Sequence, residues 1–374
     1  MVAVATRRNR DGWQVEVTID ELAQLAQTAG AEVAGKLIQR LHTASKTHYI
    51  GKGKLEELNL LKDSSGFNVV IIDDELSPLQ QRNLEEALQV KVIDRTALIL
   101  DIFSRRARTH EGKLQVELAQ HQYLLPRLAG QWSHLERLGG GIGTRGPGES
   151  QLETDRRLIR QKIQRLKKQI EQVRKQRQLY RQKRQKSGIP VIALVGYTNA
   201  GKSTLLNALS QADVFVEDKL FATLDTTTRR LNLPGNRPAL ISDTVGFIRK
   251  LPLTLITAFR ATLEELAEAS LLVHVVDLTS PHATQQCQTV EGILKDLDLD
   301  NRPRITALNK IDRLLLAGEK WDEVSAIDYI ARQSPPVEKD TVLISADKRW
   351  GLPKLMEHIS RMLGEMDDPP ILPR

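Results

Sequence analysis

The stretch GYTNAGKS, Gly196 to Ser203, has the spacing G-x-x-x-x-G-K-S and stands between the apolar run VIALV and the helix-forming STLLNAL. A loop placed between a strand and a helix can cradle a diphosphate. Successive backbone N–H groups through Tyr197, Thr198, Asn199 and Ala200 converge on the phosphate oxygens, and the positive end of the following helix adds to the potential. Gly196 and Gly201 permit close backbone approach, Lys202 carries a point charge toward the outer phosphates, and the Ser203 hydroxyl is suited to ligate Mg²⁺. Lys202 is therefore a catalytic candidate and Ser203 a metal ligand.

Two further segments specify the base. NKID, Asn309 to Asp312, follows the apolar strand ITAL, and ISAD, Ile344 to Asp347, follows the last expected strand. The Asp312 carboxylate can accept from N1–H and the 2-amino group of guanine, neither of which adenine offers. Hydrogen bonds to a charged group contribute roughly 1.5–3 kcal/mol each, so GTP and GDP are the expected nucleotides. Asn309, Lys310 and Ile311 complete that segment. Ser345, Ala346 and Asp347 form the other, with the Ala346 N–H directed at the guanine O6.

Asp243, Thr244, Val245 and Gly246 spell D-x-x-G at the end of the strand ALISD. This pattern supplies a metal-linked acid and a glycine N–H for the γ-phosphate, so Gly246 joins the catalytic candidates, and loss of that phosphate would release the segment. Upstream, FATLDTTTRR offers Thr223, Thr226, Thr227 and Thr228 as hydroxyls for Mg²⁺, and composition does not choose among them. Phe247 follows the glycine where Ras-type enzymes place a glutamine that aims the attacking water; even with it, intrinsic hydrolysis is only ~10⁻⁴ s⁻¹. A phenyl ring does neither task. Either the free enzyme is slow and a partner completes the site, or Phe247 packs into the core and another residue substitutes.

The elements that must hold these loops are legible as alternating strands and helices. Strands are expected at Val191–Val195, Leu231–Leu233, Ala239–Asp243, Leu271–Asp277, Arg304–Asn309 and Val342–Ser345, within a P-loop domain spanning 187–364 and followed by a tail at 365–374. The first 108 residues read as a smaller parallel-sheet domain, with strands in QVEVTI, NVVIIDD and VKVID and a helix capped by Ser77 with Pro78 at its first position. Between them, 109–186 reads as a helical hairpin: Leu114, Leu118, His121, Leu125 and Leu128 form one apolar stripe, broken at Pro126, and Ile159, Ile163, Leu166, Ile170 and Val173 form the other. The glycine-rich GGGIGTRGPGES, Gly139 to Ser150, would be its tip. The fold class is thus α/β, a small parallel-sheet domain with a long antiparallel helical hairpin followed by a Ras-like P-loop domain.

Charge is distributed unevenly. Fourteen Lys and Arg stand against two acids between Asp155 and Lys186, a local net of +12 in a 374-residue chain whose total is +7, so the remainder is net −5. One concentrated basic element is a candidate footprint for a polyanion. The single cysteine, Cys287, excludes an internal disulfide, and no apolar run approaches the roughly 20 residues of a membrane helix. A cytoplasmic protein, monomeric when free, is expected.

DRTALILDIFSRRARTHEGKLQVELAQHQYLLPRL, GGGIGTRGPGESQLETDRR, GYTNAGKSTLLNAL, FATLD and DTVGFIRKLP resemble the distinctive segments of the HflX GTPases over about residues 20 to 362. The resemblance implies a GTPase that binds the large ribosomal subunit and splits stalled or hibernating ribosomes under stress. The N-terminal region would lie on ribosomal RNA, with the hairpin tip and its cation Arg145 near the peptidyl-transferase region. It selects Thr223 as the switch threonine on Mg²⁺ and as a catalytic residue, and brings Phe221, Ala222, Thr223, Leu224 and Asp225 to the nucleotide. Arg174, Lys175 and Arg177 on the basic helix are the other RNA-contact candidates. A hydrophobic residue after D-T-V-G is normal for the family, which favours the partner-dependent reading of Phe247. Thr226 stands where the family usually has proline, and the additional C-terminal domain that some members carry is not expected here. Two other readings are a GTP-gated switch acting on a protein partner and an ATP-driven RNA remodeller in which GKGKLEEL, Gly51 to Leu58, binds a second nucleotide; a tight strand-to-helix turn is the plainer account of that stretch.

Overall fold

The computed structural model describes residues 2–6, 13–41, 43–128, 147–186, 188–210, 220–221, 223–224, 226–252, 255, 266–316, 319–333 and 339–367. They form two compact units, one of residues 1–174 with 250–258 and one of 175–249 with 259–374.

In the first unit β1 (Val2–Thr6), β2 (Leu37–Leu41), β3 (Val69–Ile72) and β4 (Lys91–Asp94) make a parallel sheet in the order β2-β1-β3-β4. QVEVTI is not a strand. It opens α1 (Val15–Thr28), in which Val15, Ile19, Leu22 and Ala26 are buried at helical spacing. A continuous apolar face over fourteen residues outweighs the local β preference of Val and Ile, and the strand that enters the sheet is the earlier VAVAT. The GKGK stretch forms the start of α2 (Lys52–Ser65), with Gly51 as its N-cap. Ser77 and Gln80 form a reciprocal capping box on α3 (Pro78–Leu88), with Pro78 in its first turn.

Asp94 does more than end β4. Its carboxylate caps α4 (Arg95–Arg106) at Ala97 N, 2.8 Å, and also accepts from Leu76 N at 3.0 Å and from Arg127 at 3.1 Å. The neighbouring Arg95, only 2% exposed, is paired with Asp73 at 2.8 Å and with Glu21. Lys250, which also belongs to this unit, reaches Asp73 at 3.1 Å and pairs with Asp74.

Thr109 caps α5 (His110–Leu124), and a short 3-10 turn follows at Leu125–Arg127, where Pro126 cannot continue the α-helical ladder. The helix α6 (Pro147–Lys186) has 40 residues and a length of about 60 Å. Its first residues lie inside the stretch expected to be loop tip. Leu114 and Leu118 of α5 pack with Ile163 and Leu166 of α6, flanked by Ile159, Ile170 and Val173, so the two apolar stripes meet as their periodicity requires.

The second unit carries a six-stranded sheet in the order β10-β9-β8-β5-β7-β6. Its strands are β5 (Val191–Val195), β6 (Thr227–Leu233), β7 (Arg237–Asp243), β8 (Leu271–Asp277), β9 (Arg304–Asn309) and β10 (Thr341–Leu343). All pairings are parallel except that of the edge strand β6 with β7. β6 begins four residues earlier than expected, so Thr227 and Thr228 are strand residues, with the Thr228 hydroxyl 2.7 Å from that of Ser242. Ile192, Leu194, Val273, Val275, Ile305 and Ala307 make a dry sheet centre, against which α7 (Lys202–Ser210) packs Leu205 and Leu206. The helices α8 (Ala283–Asp296), α9 (Glu323–Gln333) and α10 (Leu352–Asp367) complete the unit, and α10 presents Leu352, Leu355, Ile359 and Leu363 to the same core. It runs three residues into the stretch expected to be a tail. No helix among the described residues is long and apolar enough to cross a membrane.

Candidate nucleotide-binding site

The parallel strands β5, β7, β9 and β10 all point their carboxyl ends to one edge of the sheet, and the loops leaving them carry the four chemically suggestive segments. A doubly wound sheet binds ligands at this edge. The loop from Gly196 to Gly201 enters α7 at Lys202, whose side chain is buried at 6% exposure and donates to the carbonyls of Gly196 at 3.1 Å and Tyr197 at 2.9 Å. Burial brings the Lys202 ammonium down to about 8 and pushes the Asp243 carboxyl up, each favouring its neutral form. A phosphate reaching this lysine would relieve that penalty.

Asn309 ties two of these loops together. Its Nδ2 donates to the Ala200 carbonyl at 2.8 Å, and its Oδ1 accepts from Ala346 N at 3.0 Å. A Cβ on Gly201 would lie 2.3 Å from the same Nδ2, and the φ of +96° there is one that side-chained residues rarely adopt. Ala346 N–H was expected to face guanine; here it donates to Asn309, because the β9–β10 pairing sets their ends side by side. Ser345 donates to Asp312 Oδ1 at 2.6 Å and accepts from Lys348 N at 3.1 Å, which orients the carboxylate. Lys310 pairs with Asp277 at 2.7 Å, Ile311 is fully buried, and Asp347 is exposed.

Ser203, Thr223 and Asp243 converge. The Ser203 hydroxyl lies 2.6 Å from that of Thr223 and donates to Asp243 Oδ2 at 2.6 Å, while Asp243 Oδ1 is buried without a hydrogen-bond partner. Hydroxyl and carboxylate oxygens with one carboxylate lone-pair set unsatisfied are the donors that a hard divalent cation takes, so this set fits Mg²⁺. Among the described residues there is no cluster of three or more His, Cys, Asp or Glu. Phe221 and Leu224, each 2% exposed, turn their side chains into the core; Ala222 and Asp225 lie outside the described residues.

Phe247 is 1% exposed and packs as a core residue. Its backbone forms a bridge to the phosphate loop: Phe247 N donates to Gly196 O at 3.1 Å, and Thr198 N donates to Phe247 O at 2.8 Å. The Tyr197 hydroxyl accepts from Arg249 N at 3.1 Å, and the Thr244 hydroxyl donates to Leu194 O at 2.7 Å. Gly246 is pressed against this bridge, where a Cβ would lie 2.9 Å from Thr198 Cα and 3.0 Å from Lys202 Nζ. Only glycine fits.

Among the residues assigned to the nucleotide as members of their motifs, the Tyr197 and Thr244 hydroxyls bond to the protein backbone, and Thr198 is tied in through its amide. Sequence reasoning gave Arg249 no part. Exposed cations run along α6 at Arg157, Arg160, Arg165, Lys167, Lys168, Arg174 and Lys175, while Arg177 is half-buried; Arg145 lies outside the described residues.

Residues 191–310 match the family model described as "50S ribosome-binding GTPase", residues 16–104 that described as "GTP-binding GTPase N-terminal", and residues 106–184 that described as "GTP-binding GTPase Middle Region". The chain is 53% identical over 348 residues to the GTPase HflX of Caldanaerobacter subterraneus subsp. tengcongensis, which covers 93% of this chain and 77% of that protein. It is 44% identical over 349 residues to the GTPase HflX of Escherichia coli K12, covering 93% and 80% respectively. A crystal structure of a GTP-binding protein from Sulfolobus solfataricus in complex with GDP is 24% identical, with 98% of this chain and 99% of that chain covered and a TM-score of 0.46.

Proposed function

The chain belongs to the HflX family of GTPases, and from that premise we propose that its GTP cycle governs binding to the large ribosomal subunit and the splitting or rescue of stalled or hibernating ribosomes under stress. It hydrolyses GTP to GDP and phosphate. In the proposed cycle Lys202 and the backbone of Gly196–Ser203 hold the phosphates, Asp312 and the Ser345–Asp347 loop read guanine, and Gly246 reports the γ-phosphate. Ser203 and Thr223, oriented by Asp243, would hold Mg²⁺, which when bound neutralises charge on the β and γ phosphates.

The observation that carries the ribosomal part of this reading is α6. It bears the +12 segment on a helix of about 60 Å, and its apolar stripe is already used against α5, while Arg157, Arg160, Arg165, Lys167, Lys168, Arg174 and Lys175 are exposed. Such a face suits an RNA backbone. If it neutralises about six phosphates, log affinity falls with log salt at a slope of about −5. Arg174→Glu, Lys175→Glu and Arg177→Glu together should weaken binding to purified large subunits at least tenfold and flatten that slope, with GDP affinity retained. Unchanged binding would assign α6 to a purely structural role. In the same preparations, large subunits should raise the GTP hydrolysis rate well above that of the protein alone, with Lys202→Ala as the blank.

A further inference from the structure

The pairing of β5 with β7 runs as far as Leu194 and Asp243, and it resumes as an isolated parallel bridge between Tyr197 and Phe247. Between those points the phosphate-loop side advances three residues and the D-x-x-G side four. The extra residue makes a bulge, a feature that redirects the chain carrying it. Gly246 lies inside it, beside Lys202, where a Cβ would come 3.0 Å from Nζ. Glycine accepts backbone angles that other residues do not, so the direction of the Gly246 N–H is set by what holds the chain on either side. On one side the Thr244 hydroxyl donates to Leu194 O at 2.7 Å. On the other, Phe247 is held through Gly196 O at 3.1 Å and Thr198 N at 2.8 Å.

A parallel ladder continued past this bridge would next carry the Arg249 N–H to the Thr198 carbonyl. The loop leaves the ladder instead at Asn199, whose φ of +62° turns it into the phosphate cradle. The Arg249 N–H, in a residue only 4% exposed, donates to the Tyr197 hydroxyl at 3.1 Å. The tyrosine side chain thus supplies an acceptor where the departing backbone withdraws one. Tyr197 is itself buried, so its packed ring fixes where that oxygen stands.

We infer that Tyr197 is a positioning residue for the γ-phosphate: acting through Arg249, its hydroxyl holds the segment that follows Gly246, and so favours GTP over GDP and supports the hydrolysis rate. The inference rests on the reading of Gly246 as the γ-phosphate contact. GDP has no group for Gly246 to meet, so its affinity is independent of this tie. Every step that engages the γ-phosphate depends on it. A ligand can shift a conformational balance only by its unequal affinity for the two arrangements, and here the inequality lies in one phosphate.

The test uses the full-length protein with Tyr197→Phe, which keeps the ring and removes the hydroxyl, and with Gly246→Ala as comparator. Affinities for GDP and for a non-hydrolysable GTP analogue are titrated with Mg²⁺ present. Single-turnover phosphate release from γ-labelled GTP is timed, and amide hydrogen exchange is followed in peptides spanning 245–249. Loss of one neutral hydrogen bond in Tyr197→Phe should weaken the analogue about three- to tenfold, slow hydrolysis at saturating GTP by about the same factor, leave GDP within about twofold and speed exchange in those peptides. Equal losses for GDP and the analogue would make Tyr197 a support of the phosphate loop alone and overturn the inference. Unchanged analogue affinity and hydrolysis would overturn it as well. Gly246→Ala separates the two levels. If it weakens the analogue relative to GDP while Tyr197→Phe does not, the inference falls and the reading of Gly246 stands; if it leaves that ratio unchanged, the reading falls and the inference with it. In wild type those amides should exchange more slowly with the analogue bound than with GDP, a comparison that holds even where a variant does not fold, and equal rates overturn the inference.

Discussion

Asn309 offers a sharp test of how the site is held before any nucleotide arrives. In Asn309→Ala, the Ala200 carbonyl loses a donor at 2.8 Å and the Ala346 N–H loses an acceptor at 3.0 Å. All three residues are at most 3% exposed, so both backbone groups are left in a dry interior. An unmatched buried group costs about 1–3 kcal/mol, and the space vacated by the amide admits some relaxation, so a net loss of about 3 kcal/mol is expected. Both bonds exist without ligand, so the loss must appear in nucleotide-free protein. For a unit of this size it corresponds to a fall of roughly 6–12 °C in the unfolding midpoint. The assay is urea unfolding of nucleotide-stripped protein followed by the fluorescence of Trp321 and Trp350, which both belong to the second unit. A shifted midpoint at constant slope is the expected signature. A change below about 0.5 kcal/mol, accompanied by weakened GTP binding, would refute the reasoning and confine Asn309 to the base.

Asp312→Asn should cost GTP at least about two decades of affinity and confer binding of xanthine nucleotides, while the Ser345 hydroxyl, 2.6 Å away, still finds an acceptor and the loop keeps its shape; equal GTP binding by titration calorimetry would contradict the assigned base reader. His274, 4% exposed, is held down to about 4 by burial, so the fold keeps it neutral where the unfolded chain, near 6.5, takes up a proton. Stability of the second unit therefore falls as pH drops from 6.5 toward 4, and at pH 4.5 this one group accounts for about 2–3 kcal/mol. His274→Leu should flatten urea midpoints over that range by a corresponding amount, and an unaltered pH profile would count against it. Arg95→Ala removes the buried guanidinium from Asp73 and from half-buried Glu21 and should destabilise the first unit by about 3–5 kcal/mol in urea unfolding; near-neutral behaviour would mean that the remaining Lys250 contact satisfies Asp73.

Most of the architecture was legible because its signals are local. The P-loop spacing, the two base-reading segments and D-x-x-G each sit just past an apolar strand, and strands β5, β8 and β9 lie at the expected residues. The stripes of α5 and α6 announced their own packing by period alone. QVEVTI misled because six residues rich in Val and Ile favour a strand, whereas the face that decided the matter needed fourteen to become visible. The edge strand β6 was under-read for a related reason: exposed Arg229 and Arg230 interrupt the apolar pattern, and its pairing with β7 settles the length.

By itself the sequence determined where a phosphate loop, a D-x-x-G turn and the NKID and ISAD segments lie, since residue type and spacing suffice for those, whereas its residues alone left four threonines open as the partner of Ser203. Tertiary structure alone decided what each side chain faces. Asn309 meets Ala200 across 109 residues, Ser203 meets Asp243 across 40, and the backbone of Phe247 closes on that of Thr198. Hydrogen bonds across such separations leave no periodic trace in the chain. That the backbones of Thr198 and Phe247 meet depends on where the folded sheet brings the loops leaving β5 and β7, and no spacing rule along one segment contains that.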